Sequence, residues 1–288
     1  MNIVVVTGTG TGVGKTVTTA ALAACALGAG QRVAVVKPVQ TGVSPGEPAD
    51  LAEVSRLTGL TDLHEYARYP EPLAPATAAR RLGESGPDLA ELAVRVAGLA
   101  DRDLVIIEGA GGVLVRFNDR GEGICELAGA VRQLASAEDG GAAGFQAPGV
   151  EAPGFETPGF EAPGFKTPGA EAPRFEVVLV TTASLGCLHH AAASADALRK
   201  RGWGPHHLVV GDWPAQPGLA ERCNLVDLPS YTGTPLHGVI GHGAGGLERA
   251  AFTEVALRSL PPVLGGSFDA ADFVRRHAAP EPMRVSSR

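Results

Sequence analysis

The run Ile3-Val4-Val5-Val6-Thr7-Gly8-Thr9-Gly10-Thr11-Gly12-Val13-Gly14-Lys15-Thr16 constrains the fold of this chain more than any other segment. Its β-branched apolar start suits a strand covered on both faces, as in a parallel sheet, and the Ala-rich stretch Val17 to Ala29 suits a helix. Between them, glycines let backbone N–H groups converge on a phosphate at the helix N-terminus, where the helix dipole also favours negative charge. Gly12, Val13, Gly14, Lys15, Thr16 and Val17 are therefore candidate nucleotide-binding residues. Lys15 is expected to reach the outer phosphates, and the Thr16 hydroxyl to ligate magnesium. In the common phosphate loop the first glycine stands five places before the Gly of Gly-Lys-Thr; here that place holds Thr9 and Gly8 precedes it, so the loop is one residue longer.

Further apolar runs recur with helical segments between them: Val33 to Val36, Leu104 to Ile107, Val177 to Val180, Leu208 to Val210 and Leu236 to Ile240. This alternation predicts an α/β fold, three-layered and doubly wound, with a mostly parallel sheet and helices on both faces. Ligands in such sheets sit beyond the carboxyl ends of the strands, so the residues after each run carry the functional signal. They are Lys37-Pro38-Val39-Gln40-Thr41-Gly42, then Glu108-Gly109-Ala110-Gly111-Gly112, then Thr181 to Cys187 leading into a helix that runs to about Leu198.

The formal net charge of −7 argues against a nucleic-acid surface, which needs a basic footprint. No apolar run approaches the roughly 20 residues of a membrane span, and the strand begins without a basic leader, so a cytoplasmic protein without membrane or nucleic-acid partners is expected. Cys25, Cys125, Cys187 and Cys223 show no zinc or redox spacing and read as small buried hydrophobes. Histidines occur as His189-His190 and His206-His207 without a metal-binding helix pattern, which leaves magnesium with nucleotide as the metal to expect.

Residues 1–264 read as one phosphate-loop domain interrupted at 139–176, with 265–288 as a C-terminal tail. The interruption is a five-residue repeat, exemplified by Ala152-Pro153-Gly154-Phe155-Glu156 and Thr157-Pro158-Gly159-Phe160-Glu161. Proline in every unit forbids a regular helix, so a disordered surface insertion is expected. The evenly spaced phenylalanines leave a docking role open.

With Gly8 to Thr16, Lys37 to Gly42, Glu108 to Gly112 and Leu185-Gly186-Cys187-Leu188-His189-His190 in this order, the chain resembles the dethiobiotin synthetases. The resemblance covers about residues 1–125 and 177–262. It implies ATP-dependent closure of a cyclic urea: CO2 or bicarbonate adds to 7,8-diaminononanoate, ATP phosphorylates the carbamate, and the second amine expels phosphate. By motif position it implies Lys15, Lys37 and Thr11 as catalytic residues. Thr11, Lys37 and Thr41 would hold the carbamate and amine region, and Thr16, Asp50 and Glu108 would hold Mg2+. Glu108, Gly111 and Gly112 would lie along the nucleotide, and Gly211-Asp212 would stand at its base. It further implies a homodimer in which the helix start Gly186, Cys187, Leu188, His189 binds the substrate carboxylate of the neighbouring subunit. Without the resemblance, Asp50 reads equally as a helix cap.

Two departures stand out. The family often has lysine and asparagine where this chain has Ser184 and His189, and an Asn-Asp pair where it has Gly211-Asp212. Glycine cannot read adenine through an amide, so weak discrimination among nucleoside triphosphates is expected. The rival readings are a nucleotide-switch ATPase of the partition type, a cobyrinate-type amide ligase, and a nucleotide binder without catalysis. The first lacks its early loop lysine and a basic tail here, and the second lacks a glutamine-hydrolysing domain.

Overall fold

The computed structural model describes residues 1–137 and 174–280. The expected disordered insertion lies outside them except at its end, as does 281–288. The elements run β1 (Asn2–Gly8), α1 (Lys15–Gly28), β2 (Val33–Thr41), α2 (Asp50–Thr58), β3 (Leu63–Tyr69), α3 (Pro75–Arg81), α4 (Leu89–Ala97), β4 (Leu104–Glu108), α5 (Ile124–Ala137), β5 (Phe175–Thr181), α6 (Cys187–Lys200), β6 (His207–Trp213), α7 (Leu219–Thr232), β7 (Leu236–Gly241), α8 (Arg249–Ser259) and α9 (Ala270–His277).

The seven strands form one sheet in the order β3-β2-β4-β1-β5-β6-β7, and every pairing is parallel. The alternation of strand side chains divides the core. Ile3 and Val5 pack with α4, α5, α6 and α7 on one face, while Val4 and Val6 pack with α1, α2 and α8 on the other. Because β1 pairs with β4 on one side and β5 on the other, the phosphate loop emerges at the centre of the sheet, where the winding direction switches.

All five apolar runs after the first are strands. The sheet also contains β3, which the sequence reading did not mark. Its residues Leu63 to Arg68 are only half-buried at the sheet edge, and its polar side chains bond along the strand, as in Arg68 to Glu65 at 2.6 Å. The boundary of the insertion also shifts, since β5 already begins at Phe175. Phe175 and Glu176 pair with Ile3 and Val4 of β1, which is why these residues belong to the sheet. The first part of the segment assigned to the C-terminal tail forms α9, whose N-cap Asp269 accepts from the Asp272 N–H at 2.9 Å. Phe268 is buried, and Phe273 and Val274 pack on the core.

The expectation for the cysteines holds for Cys25, Cys125 and Cys187, which are buried, but not for Cys223, which is only half-buried. Burial pushes the thiols of the first three up to about 11, about 12 and about 11, far from reactivity. No helix among the described residues is long and apolar enough to cross a membrane.

At the amino edge, His207 Nδ1 lies 2.6 Å from His237 Nδ1, and its Nε2 lies 3.1 Å from Glu176, with the His206 ring adjoining. Burial holds both His207 and His237 below the ordinary value of 6.5, and Glu176 only partly offsets it. The unfolded chain thus takes up protons at these rings before the folded one. Stability present above about pH 6.5 is lost as pH falls through that value. The thermal midpoint should drop between pH 7.5 and 5.5, and the drop should shrink in His237→Asn. A flat profile would remove these rings as its cause.

Candidate active site

Gly14 precedes α1 with φ 93°, Gly12 has φ 74°, and no side chain caps the helix. The first N–H groups of α1 are therefore free to meet an anion rather than a serine or aspartate. The loop is braced from β6: a Cβ on Gly14 would lie 2.4 Å from the Gly211 carbonyl oxygen, and one on Gly211 would lie 2.2 Å from the Val13 carbonyl oxygen. Two facing glycines let the strand end and the loop touch backbone to backbone. Lys15 curls over the loop and donates to the Gly10 carbonyl at 2.7 Å. Burial, then repulsion from Lys37, lowers its pKa.

The neighbouring strands deliver the other charges. The ladder between β2 and β4 ends at Val36 opposite Ile107, so Lys37 and Glu108 leave it at the same level. Lys37 is buried, not a solvent lysine at a strand end: its Nζ donates to Glu108 Oε1 at 2.7 Å and lies 2.5 Å from Asp50 Oδ2. The Gly109 carbonyl, at 3.3 Å, takes its third proton. Burial disfavours the ammonium, but Glu108 and Asp50 outweigh it and raise its pKa.

The Thr16 hydroxyl donates to the same Glu108 Oε1 at 2.9 Å, while Glu108 Oε2 is enclosed and has no hydrogen-bond partner. The unpartnered Oε2 of this fully buried carboxylate is open to a further ligand such as an ion. The donor set of a hydroxyl and two carboxylates is the hard-oxygen type that suits magnesium. No group of three His, Cys, Asp or Glu residues among the described residues is placed to hold a metal ion, so phosphate oxygens and water would complete the shell. Asp50 is not the cap of its helix. Ala49 occupies that position, and the Asp50 N–H donates to Gln40 Oε1 at 3.4 Å.

Thr11 lines a cleft of ≈ 440 Å³ with Thr9, Gly10, Gly111, Gly112, His189 and His190. Gly111 has φ 66°, and a Cβ on Gly112 would come within 3.4 Å of the Gly8 carbonyl, so this glycine turn also abuts the loop. Gly186, with φ 94°, precedes α6 without a side-chain cap; Cys187 is buried and Leu188 packs on the core. Thr41 stands at the end of β2, opposite Tyr69, and does not line the cleft. At the far side, Asp212 pairs with His242 at 2.9 Å, and a Cβ on Gly245 would sit 3.3 Å from Val17, so the loop after β7 rests on the first turn of α1.

Sequence reasoning missed Asn224 of α7. Its amide donates to the carbonyls of Ala183 at 2.8 Å and Ser184 at 3.4 Å and so holds the turn before α6. No motif surrounds it, and its only sequence signal was a polar residue on the same helix face as Leu225 and Leu228.

A parallel sheet with a long glycine loop, an uncapped helix start, a buried lysine and paired carboxylates at one edge defines a phosphate-loop nucleoside triphosphatase. A family model described as an AAA domain matches residues 2–130. The ATP-dependent dethiobiotin synthetase BioD of Frankia casuarinae is 48% identical over 278 residues, 96% of this chain and 99% of that one. That of Streptomyces coelicolor is 43% identical over 280 residues, again 96% and 99%. The chain belongs to the ATP-dependent dethiobiotin synthetase family. The aligned spans run across 139–176, where the resemblance had found no counterpart. Among solved structures, the signal recognition particle receptor FtsY from Elizabethkingia anophelis is 17% identical with a TM-score of 0.50, covering 95% of this chain and 64% of that chain, a likeness of fold alone.

Proposed function

We propose that this chain is the ligase that closes the ureido ring of dethiobiotin in biotin synthesis, consuming ATP, CO2 and 7,8-diaminononanoate. The observation that carries this reading is the convergence of Lys15, Lys37, Thr16, Asp50 and Glu108 at one sheet edge in a full-length relative of dethiobiotin synthetases. In the reaction one amine attacks CO2 and loses a proton to give a carbamate. A carbamate oxygen then takes the γ-phosphoryl group and releases ADP. The second amine attacks the carbonyl carbon, expels phosphate and loses a proton.

Little of this chemistry needs an acid or base from the protein. It needs anions held close together and charge neutralised as it moves. In this reading the α1 N–H groups and Lys15 cradle the phosphates, while Lys37 and Thr11 hold the carbamate and Thr41 the substrate chain. Thr16, Asp50 and Glu108 hold Mg2+, which neutralises the phosphoryl oxygens when bound. Gly111 and Gly112 line the phosphates, with Gly211 and Asp212 near the base. The start of α6, Gly186 to His189, receives the substrate carboxylate across a homodimer interface, supported by its uncapped N–H groups and by exposed Leu114 and Leu185 beside the cleft. The domain read as 1–264 extends through α9, whose Phe273 and Val274 pack on its core. A nucleotide switch is not favoured, given the full-length relatives.

Phosphate release from ATP by the purified protein, with bicarbonate and magnesium, should depend on the diamine, and dethiobiotin should appear by mass spectrometry. Diamine-independent hydrolysis, or none, would overturn the reading. Since Gly211 offers no amide to the base, CTP and GTP should compete with ATP within about an order of magnitude, because a single hydrogen-bonded readout is worth roughly a tenfold factor. Strict ATP preference in that competition would exclude this account of the base site.

A further inference from the structure

We propose that Lys37 is parked on the metal-binding carboxylates and is released to the substrate by the incoming metal ion. The inference rests on the assignment of Thr16, Asp50 and Glu108 as the magnesium ligands.

Each of the two carboxylates placed around the metal position spends an oxygen on the same ammonium: Asp50 Oδ2 at 2.5 Å and Glu108 Oε1 at 2.7 Å. The Thr16 hydroxyl is turned to that same Glu108 oxygen. Without metal, the ammonium neutralises charges that the metal would otherwise hold, in a setting where Glu108 is fully buried and Lys37 nearly so. A buried carboxylate left without a cation is costly, so some cation must always be present. A divalent ion bound there cannot share Asp50 and Glu108 with an ammonium in direct contact, because like charges at that separation repel strongly at low dielectric. Metal binding therefore expels Nζ from its acceptors.

The expelled group has a destination. Lys37 lies in β2 one residue past its last pair with β4, level with Glu108 and close enough to Lys15 of the phosphate loop for their charges to repel, and its flexible stem lets Nζ move while Cα stays in β2. Once freed, it is the cation available to meet the carbamate. Metal binding would thus precede activation of the substrate and would be coupled to it. Asp50 has two roles in this scheme, as a metal ligand and as the metal-free resting place of the lysine.

The test is Mn2+ binding to the nucleotide-free protein, read from the free Mn2+ signal in electron paramagnetic resonance. Removing the competitor in Lys37→Met should tighten Mn2+ binding about tenfold, the value of one ordinary charged contact. Lys15→Met removes an equal charge nearby that touches neither acid, and should raise Mn2+ affinity by clearly less than Lys37→Met does, since a charge without contact is felt only at longer range. Equal gains in both variants would reduce the effect to general electrostatics and overturn the exchange, as would unchanged or weaker binding in Lys37→Met. A second readout needs no variant: acylation of Lys37 by an amine reagent, followed by peptide mass, should rise severalfold when Mg2+ is added to the wild-type protein. Unchanged or lower labelling would overturn the proposal. Neither readout depends on dethiobiotin formation, so loss of the ligase reading alone would leave both results interpretable.

Discussion

Lys37→Met should lower kcat for dethiobiotin formation by a factor of about 10²–10³, the usual cost of one preorganised donor in a transition state. KM for ATP should stay within about threefold, because the proposed function gives the phosphates to the uncapped α1 N–H groups and Lys15 rather than to Lys37. The variant also leaves Glu108 buried without its main cation. Breaking a buried pair costs about 3–5 kcal/mol, so the metal-free thermal midpoint should fall. Added Mg2+ should recover part of it by binding only the folded state. A kcat within tenfold of wild type would remove Lys37 from the chemistry, and a midpoint insensitive to Mg2+ would remove the carboxylates from the metal site.

Gly211→Asn restores on paper the amide that a family member would turn to adenine, yet it should weaken nucleotide binding. The new Cβ would lie 2.2 Å from the Val13 carbonyl and 2.7 Å from a Val180 methyl. Neither can retreat, because one belongs to the phosphate loop and the other to the sheet interior. Overpacking of this kind costs about 1–3 kcal/mol, which corresponds to roughly 5- to 150-fold in affinity for a non-hydrolysable ATP analogue by titration calorimetry. Gly211→Ala should lose nearly as much, since the clash is with the first side-chain atom. Unchanged or tighter binding in the asparagine variant would show that the strand end gives way and that the amide reads the base after all.

The fold was legible because buried parallel strands are nearly unbroken apolar runs, and each of those named from sequence forms a strand. β3 escaped because an edge strand needs only half-burial: Glu65 and Arg68 satisfy each other, so the run Leu63-His64-Glu65-Tyr66 shows no apolar signal. At the site, the phosphate loop and the positions of Lys37 and Glu108 after their apolar runs could be read directly, although β2 continues through Lys37 to Thr41 and Glu108 is the last residue of β4. Their pairing follows from strand register, which one sequence does not display. Asp50 illustrates the limit. Its residues alone fit a cap as well as a ligand, and only the approach of α2 to β2 sets its carboxylate on Lys37. The contact between Gly14 and Gly211 lies further out of reach, because it depends on two backbones meeting across most of the chain.

The packing of α9 gives the end of β6 a remote dependence. Trp213, directly after Gly211 and Asp212, meets the Phe273 ring edge-on at 5.7 Å, and Phe273 stacks on His277 at 4.3 Å. Arg222 of α7 then ties down the carbonyls of His277 and Ala278. A premature stop or frameshift near Ser267 would spare every recognisable motif and still remove the ring that packs on Trp213, so a complete set of signature residues does not by itself guarantee a working product. Variants judged harmless because they fall beyond the last motif belong among the first to be assayed.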